Sequence, residues 1–378
     1  MTLTAQARLD DLAAIESADP GGVLRQVDSS AAQLRAAART AAGTDLGPAL
    51  SGSRPRRIVV TGMGGSGVAG EVLSAVCGPV SATQVVALHD YRLPGWVGRE
   101  DPVIAVSCSG TTEETLSTAG EAASRGCPLI GVGSAGSALA RLAAQAGGSF
   151  IPVQPAGMPR STFWGLAVPL MVVADRLGVA EIPGPALEAA AVELERISQL
   201  CRPESGTSVN PAKTLALELA GTLPMIWGSS PLTGVAATRF ATQLNENAKY
   251  PGVPGVLPEA NHNQVVAFDG PFAPRPAGGA VVLDRAGLGL TVPLHLVILR
   301  DTREHPQVTR RREVSAELAE QRGISVTQLS ADGATAPERL ASLIQLIDYA
   351  TVYLGIAIGV DPGPIAVIGE LKERIASS

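Results

Sequence analysis

The chain repeats one local pattern, in which a short run of apolar, mostly β-branched residues leads into a turn and then a segment of helical composition. The segment 112–126 is an example of such a helix, with Glu in its first turn and Gly126 as the predicted C-cap. Five of the apolar runs precede residue 155, at 58–62, 85–90, 103–109, 128–133 and 149–153. Because strands that alternate with helices usually pair in parallel, the pattern predicts a parallel sheet with helices on both faces.

A second block of the same kind begins near Asn210. It contains strand-like runs at 224–230, 292–300 and 324–330, with predicted helices at 235–249 and 336–360. A length of 378 residues fits two domains at about 150 residues each. We therefore predict an α/β protein with a helical segment at 1–50, a first domain at 51–184, a helical connection at 185–209 and a second domain at 210–378. A Gly/Pro-rich insertion is expected at 270–291.

Composition and charge exclude several classes of partner. The net charge is -6 and aromatic residues are only 3%, which argues against nucleic acid and anionic membranes. The longest apolar run, 163–174, is too short to span a bilayer, and no export signal is expected at the N-terminus. The cysteines form no CxxC pair, which indicates free thiols in a cytoplasmic protein; they are Cys77, Cys108, Cys127 and Cys201.

The first predicted strand runs into a glycine-rich motif, GMGGSG at 62–67, which opens a helix. Glycines let the backbone approach an anion, and the helix N-terminus offers N–H groups to it. The motif also matches the GxGxxG pattern of dinucleotide-binding proteins, and Asp90 follows the next strand where a ribose-binding acid would lie. A nicotinamide-dependent oxidoreductase therefore stays open at this point.

A second motif, SCSGTTEET at 107–115, follows the third predicted strand and also leads into a helix. It places the hydroxyls of Ser107, Ser109 and Thr112 around a glycine turn. Neutral hydroxyl and backbone donors at a helix start suit a small phosphate monoester. The structural alternative is a Ser/Thr N-cap, but a cap needs only one hydroxyl.

Together the two motifs resemble the SIS (sugar isomerase) domain, which binds phosphosugars. Further segments resemble the bifunctional phosphoglucose/phosphomannose isomerase family: PRSTFWG at 159–165, LNENAK at 244–249, LPEANHN at 257–263, LRDTREHP at 299–306 and the stretch 348–374. The resemblance implies two SIS-type domains, each a mainly parallel, doubly wound, flavodoxin-like sheet. It places the phosphosugar-binding loops in the first domain and most catalytic residues in the second.

The resemblance also implies roles for individual residues. Glu246 would be the base that moves a proton between C1 and C2, and His262 would open the sugar ring. Arg160 would stabilise the enediolate, and Lys372 would assist at the ring oxygen. The phosphate would be bound by Gly65, Ser66, Ser107, Ser109 and Thr112. No cofactor and no metal are expected, because the four histidines form no HxH or HxxxH cluster.

The expected activity is that of an aldose–ketose isomerase that interconverts glucose 6-phosphate or mannose 6-phosphate with fructose 6-phosphate through a cis-enediol. The family implies a homodimer in which His262 reaches the neighbouring subunit's site. A non-catalytic phosphosugar-binding regulator is the alternative, although residues 1–50 offer no DNA-recognition helix. Two positions depart from the family pattern, since Thr111 replaces an Asn and Gly363 replaces a Thr.

Overall fold

The computed structural model describes residues 4–47, 54–274 and 292–377, so most of the expected insertion at 270–291 lies outside the described residues. The chain divides into two compact units, each with its own sheet. The five-stranded unit comprises Asp28–Glu195 and Asp332–Ser342. The four-stranded unit comprises Met1–Val27, Arg196–Ala331 and Leu343–Ser378.

The N-terminal residues form four short helices. These are α1 (Ala5–Leu9), α2 (Leu12–Ala18), α3 (Val23–Asp28) and α4 (Ser30–Gly43). The first two lie in the four-stranded unit, whereas α4 lies in the five-stranded unit and packs on its helix α8 (Phe163–Arg176).

The five-stranded unit contains a wholly parallel sheet. Its strands are β1 (Arg57–Thr61), β2 (Gln84–Leu88), β3 (Val103–Ser107), β4 (Leu129–Gly133) and β5 (Ser149–Pro152), in the spatial order β2-β1-β3-β4-β5. That order is the doubly wound, flavodoxin-like one, so this prediction is confirmed. In the register, Thr61 at the end of β1 lies between Leu88 of β2 and Ala105 of β3.

Helices cover both faces of this sheet. They are α5 (Gly65–Cys77), α6 (Glu113–Arg125), α7 (Ala138–Gln145) and α8, and α9 (Gly184–Cys201) follows them. Val59 and Val103 join Ala119 of α6 in one apolar cluster. Val60 points to the other face, where a Cβ on Gly70 of α5 would lie 3.0 Å from it. Strands buried on both faces explain the near-continuous apolar runs in the sequence.

The four-stranded unit repeats the first four positions of that topology. Its parallel strands are β6 (Leu223–Gly228), β7 (Val253–Val256), β8 (Leu294–Asp301) and β9 (Ser325–Ala331), in the order β7-β6-β8-β9. The remaining helices of the chain are α10 (Pro211–Leu219), α11 (Pro231–Gln243), α12 (Pro306–Gln321), α13 (Ala336–Ile358) and α14 (Ala366–Ala376). They belong to the four-stranded unit, except that α13 joins it only from Leu343 onward.

Two local features differ from the sequence expectation. The predicted helix at 235–249 ends as α-helix at Gln243 and continues as one turn of π-helix, Leu244–Ala248, which we call the π-turn. Strand β7 was not predicted, because Pro254 and Gly255 are poor strand residues. Its position at the edge of the sheet is where proline is tolerated in strands.

Helix α13 is long and apolar enough to cross a membrane by length and composition alone. However, 89% of its most apolar window is buried inside the protein. Within the four-stranded unit, Gln345 donates to the carbonyl oxygen of Val27 at 2.9 Å, and the Tyr353 hydroxyl donates to that of Cys201 at 2.6 Å. Such contacts are those of a helix in a protein core.

Candidate active site

Two loops of the five-stranded unit meet at the carboxyl ends of β1 and β3. One is the glycine loop, 62–67, and the other is the serine loop, 107–112. The backbone N–H of Cys108 donates to Ser66 Oγ at 3.3 Å, which joins the two loops directly. The strand order reverses between β1 and β3, and in open α/β sheets ligands bind in the crevice at that point.

The glycine loop requires glycine for two reasons, its backbone conformation and its close packing. Gly64 has φ +54°, and a Cβ on Gly62 would lie 2.9 Å from the Val106 carbonyl oxygen. A Cβ on Gly67 would lie only 2.6 Å from the ring of His89. The start of α5 therefore sits directly against the strand ends, which places the positive end of the helix dipole at the crevice.

The three hydroxyls of the serine loop form a cluster. Ser107 Oγ lies 2.8 Å from Thr112 Oγ1 and 3.4 Å from Ser109 Oγ, and it accepts the Gly110 N–H at 3.0 Å. Ser107 is buried, whereas Ser109 is exposed. Thr112 is the N-cap residue of α6 but makes no side-chain capping hydrogen bond. Helix capping therefore does not account for its hydroxyl, which faces Ser107 instead.

Arg160 lies beside the glycine loop in the same unit. It belongs to a single 3-10 turn, Pro159–Ser161, and is buried, with 4% exposure. A Cβ on Gly65 would lie 4.0 Å from the Arg160 Cα atom. Thr162, which follows the turn, accepts the Ala156 N–H at 3.1 Å. The Arg160 backbone thus lies beside the glycine loop, and its side chain carries a permanent positive charge in this part of the unit.

A cysteine of the serine loop packs against the same segment. Burial raises the pKa of the Cys108 thiol, and a hydrogen bond with Thr162 opposes that rise. The thiol is therefore neutral at physiological pH and adds no negative charge next to an anion.

Glu246 lies in the π-turn of the four-stranded unit and is half-buried. The turn ends at Lys249, whose φ of +53° is the left-handed conformation. Lys249 Nζ donates to the carbonyl oxygens of Glu246, at 3.0 Å, and Asp361, at 2.9 Å. This lysine thus closes the π-turn through its ammonium group.

His262 and Lys372 lie on two further elements of the same unit, and both are exposed. His262 ends a 3-10 turn, Glu259–His262, which is anchored because Asn261 Nδ2 donates to Ser315 Oγ of α12 at 2.7 Å. Lys372 lies on α14. The structure therefore brings the phosphate-binding candidates and Arg160 together, whereas Glu246, His262 and Lys372 occupy three separate elements.

One residue of the site escaped the sequence analysis. His89, at the end of β2, donates from Nδ1 to the Gly62 carbonyl oxygen at 2.8 Å, and its Nε2 lies 3.2 Å from Glu71 Oε1. Asp90, the candidate ribose-binding acid, instead accepts the N–H of Tyr91 at 2.6 Å. The alternation of side chains along a strand could have revealed His89. Ala87 faces α5, and His89, two positions later, faces the same way.

Comparison with known proteins decides the family. The model of the SIS domain matches residues 53–147, and that of the bacterial phospho-glucose isomerase C-terminal SIS domain matches residues 208–375. A bifunctional phosphoglucose/phosphomannose isomerase from Caldicellulosiruptor bescii is 31% identical over 85% of this chain and 89% of its own length. The chain belongs to the bifunctional phosphoglucose/phosphomannose isomerase family. It is an isomerase with two SIS domains.

Other members and relatives agree with this placement. The protein of the same name from Aquifex aeolicus is 29% identical over 84% of this chain and 90% of its own. A D-glucosamine-6-phosphate 4-epimerase from Sulfolobus acidocaldarius is 29% identical over 56% of this chain and 64% of its own. A glucose-6-phosphate isomerase like protein from Thermus thermophilus shares the fold, with a TM-score of 0.60, 19% identity and coverage of 97% and 98%.

Proposed function

We propose that this protein interconverts glucose 6-phosphate and mannose 6-phosphate with fructose 6-phosphate through a cis-enediol, without a metal ion. The observation that carries the proposal is the hydroxyl cluster of Ser107, Ser109 and Thr112 at the start of α6, with Arg160 beside the adjoining glycine loop. The names of the relatives indicate which sugar the substrate contains, and the cluster provides hydrogen-bond donors of the kind that bind a phosphate monoester.

The proposed chemistry is a proton transfer that leaves the sugar's overall oxidation state unchanged. The Glu246 carboxylate removes the proton from C2 of the open-chain aldose, and the electron pair moves to the carbonyl oxygen to form the enediolate. Arg160 stabilises that negative charge. A proton then moves from the C2 hydroxyl to the C1 oxygen, and Glu246 returns its own proton to C1, which leaves the carbonyl at C2. His262 and Lys372 act earlier, when the ring opens and its oxygen exchanges a proton.

We also propose a cytoplasmic homodimer. His262 is exposed in the single chain, which suits an imidazole that acts in the site of a second copy. The four cysteines are buried free thiols, which suits a reducing compartment. The partners we propose are therefore a sugar phosphate and a second copy of the chain, with neither nucleic acid nor membrane.

The test is to incubate the EDTA-dialysed protein with fructose 6-phosphate and to identify products by NMR. We expect glucose 6-phosphate and mannose 6-phosphate, since a proton delivered to either face of C2 yields one of them. Binding without conversion would support the regulator instead. Conversion that needs added zinc or manganese would refute the metal-free mechanism, and a product inverted at C4 would point to epimerase chemistry.

A further inference from the structure

Helix α13 contacts the segment that leads into the π-turn through a row of polar side chains. Arg239, Gln243 and Asn247 follow one another at intervals of four residues, so they lie on one face of α11 and its continuation. Their partners on α13 are Asp348 and Thr351, three residues apart and likewise on one face. The row fixes how these two segments lie against each other.

An ion pair anchors the first part of the row. Nε and Nη2 of Arg239 donate to the two carboxylate oxygens of Asp348 at 3.0 and 2.6 Å, and Gln243 adds a donor at 3.3 Å. The side chains of the pair are only 3% and 6% exposed. Burial raises the pKa of Asp348, and the guanidinium of Arg239 opposes that rise. A buried bidentate pair has one good geometry, which fixes the register of the two helices.

The last contact of the row lies inside the π-turn. Asn247 Nδ2 donates to Thr351 Oγ1 at 3.0 Å, and the Thr351 hydroxyl donates to the Asp348 carbonyl oxygen at 2.9 Å. The hydroxyl proton is thus used within α13, and a lone pair faces the Asn247 amide. Both residues are buried, at 1% and 0% exposure. A Cβ at Gly355 would lie 2.8 Å from the Asn247 carbonyl oxygen, so glycine permits the close approach.

An ordinary α-helical turn is the alternative backbone path for the residues of the π-turn. A π-helix closes its hydrogen bonds five residues back, whereas the α-helix closes them four back and is normally preferred. Successive residues of an α-helix are rotated by about 100° around its axis, so a change of path within the turn would redirect Glu246. The contact from Asn247 to α13 is made with the turn in the observed π-helical path.

We propose that Thr351 is a positioning residue: through Asn247 it holds the π-turn in the path that directs the Glu246 carboxylate at the reacting carbons. This inference rests on the proposed function, because it takes Glu246 as the base. Thr351 acts only through the turn and contacts no substrate. Phosphate binding is assigned to the other unit, so loss of Thr351 should affect the chemical step and leave substrate affinity unchanged.

The test uses Thr351→Val, which keeps the shape of the side chain but cannot accept the Asn247 amide. We expect kcat for fructose 6-phosphate to fall about 10- to 100-fold, as for a catalytic group displaced by about an ångström, with KM within about twofold of wild type. Thr351→Ser retains the hydroxyl, so it should restore kcat to within about threefold of wild type. Asn247→Ala removes the other partner of the same bond and should repeat the loss if Thr351→Val fails to fold.

The matched control is Thr327→Val. The Thr327 hydroxyl, on β9, contacts His295 at 2.8 Å and Glu218 at 2.7 Å. Thr327→Val removes both contacts, and we expect this variant to keep the kcat of wild type. Folded Thr351→Val with wild-type kcat, beside an inactive Glu246→Gln, would overturn this inference alone. An equal loss of kcat in Thr327→Val would also overturn it. A Glu246→Gln variant as active as wild type would overturn the proposed base and this inference with it.

Discussion

At the scale of single residues, the Thr112 hydroxyl can be used to decide between two roles, ligand binding and helix capping. It makes no capping bond to α6 and lies 2.8 Å from Ser107 Oγ. We therefore predict that Thr112→Val folds as well as wild type but raises the KM for fructose 6-phosphate by about 10- to 100-fold, since a hydrogen bond to a charged oxygen contributes about 1.5–3 kcal/mol. Steady-state kinetics together with thermal melting would measure both effects.

A matched control lies on the same helix. Ser124 lies near the C-terminal end of α6 and donates to the Gly120 carbonyl oxygen at 2.9 Å. Ser124→Ala should leave KM unchanged. If Thr112→Val keeps the KM of wild type, or loses melting temperature instead, the hydroxyl serves the helix and not a phosphate.

Residues of the site differ in how far the sequence could reveal them. The hydroxyl cluster was predicted, because Ser107, Ser109 and Thr112 are close in the chain and their turn constrains them. His89 was not predicted, because its contact with Gly62 joins residues that follow two separate strands. Thr351 was not predicted either, because it lies more than a hundred residues from its partner Asn247.

At the scale of elements, strong apolar periodicity predicted the strands of the five-stranded unit and the long helix α13. The π-turn could not be predicted, because its sequence is compatible with an ordinary helix and contacts from α13 accompany the wider turn. Local propensity predicts elements that are stabilised by their own sequence. Elements stabilised by residues distant in the chain can be recognised only once the tertiary structure is known.

Equivalent loops of the two units differ in charge although their strand order agrees. In the four-stranded unit, β6 leads into α11, whose N-cap residue Ser230 donates to Asp301 Oδ2 at 2.6 Å and accepts the Thr233 N–H at 3.2 Å. A carboxylate from the end of β8 thus lies at this helix start, whereas the equivalent strand of the other unit, β3, ends at the hydroxyl of Ser107. We therefore assign the phosphate to the five-stranded unit.

At the scale of the whole molecule, the proposed dimer makes a quantitative prediction. Glu246→Gln and His262→Ala chains should each be inactive alone. If His262 acts in the partner's site, mixing equal amounts with chain exchange should restore about a quarter of wild-type activity, because half the dimers are hybrids and each has one intact site. Restored activity near zero after proven exchange, or a fully active single chain in sedimentation, would refute the shared site.

The measurement that tests the central claim most directly is isomerisation in D₂O by wild type and Glu246→Gln. We predict that the wild-type protein converts fructose 6-phosphate into aldose carrying deuterium at C2. Glu246→Gln should turn over about 10²–10⁴-fold more slowly while still binding the sugar phosphate. The exposed Glu320→Gln on α12 serves as the control and should match wild type. A Glu246→Gln protein that forms deuterated aldose at nearly the wild-type rate would contradict the account.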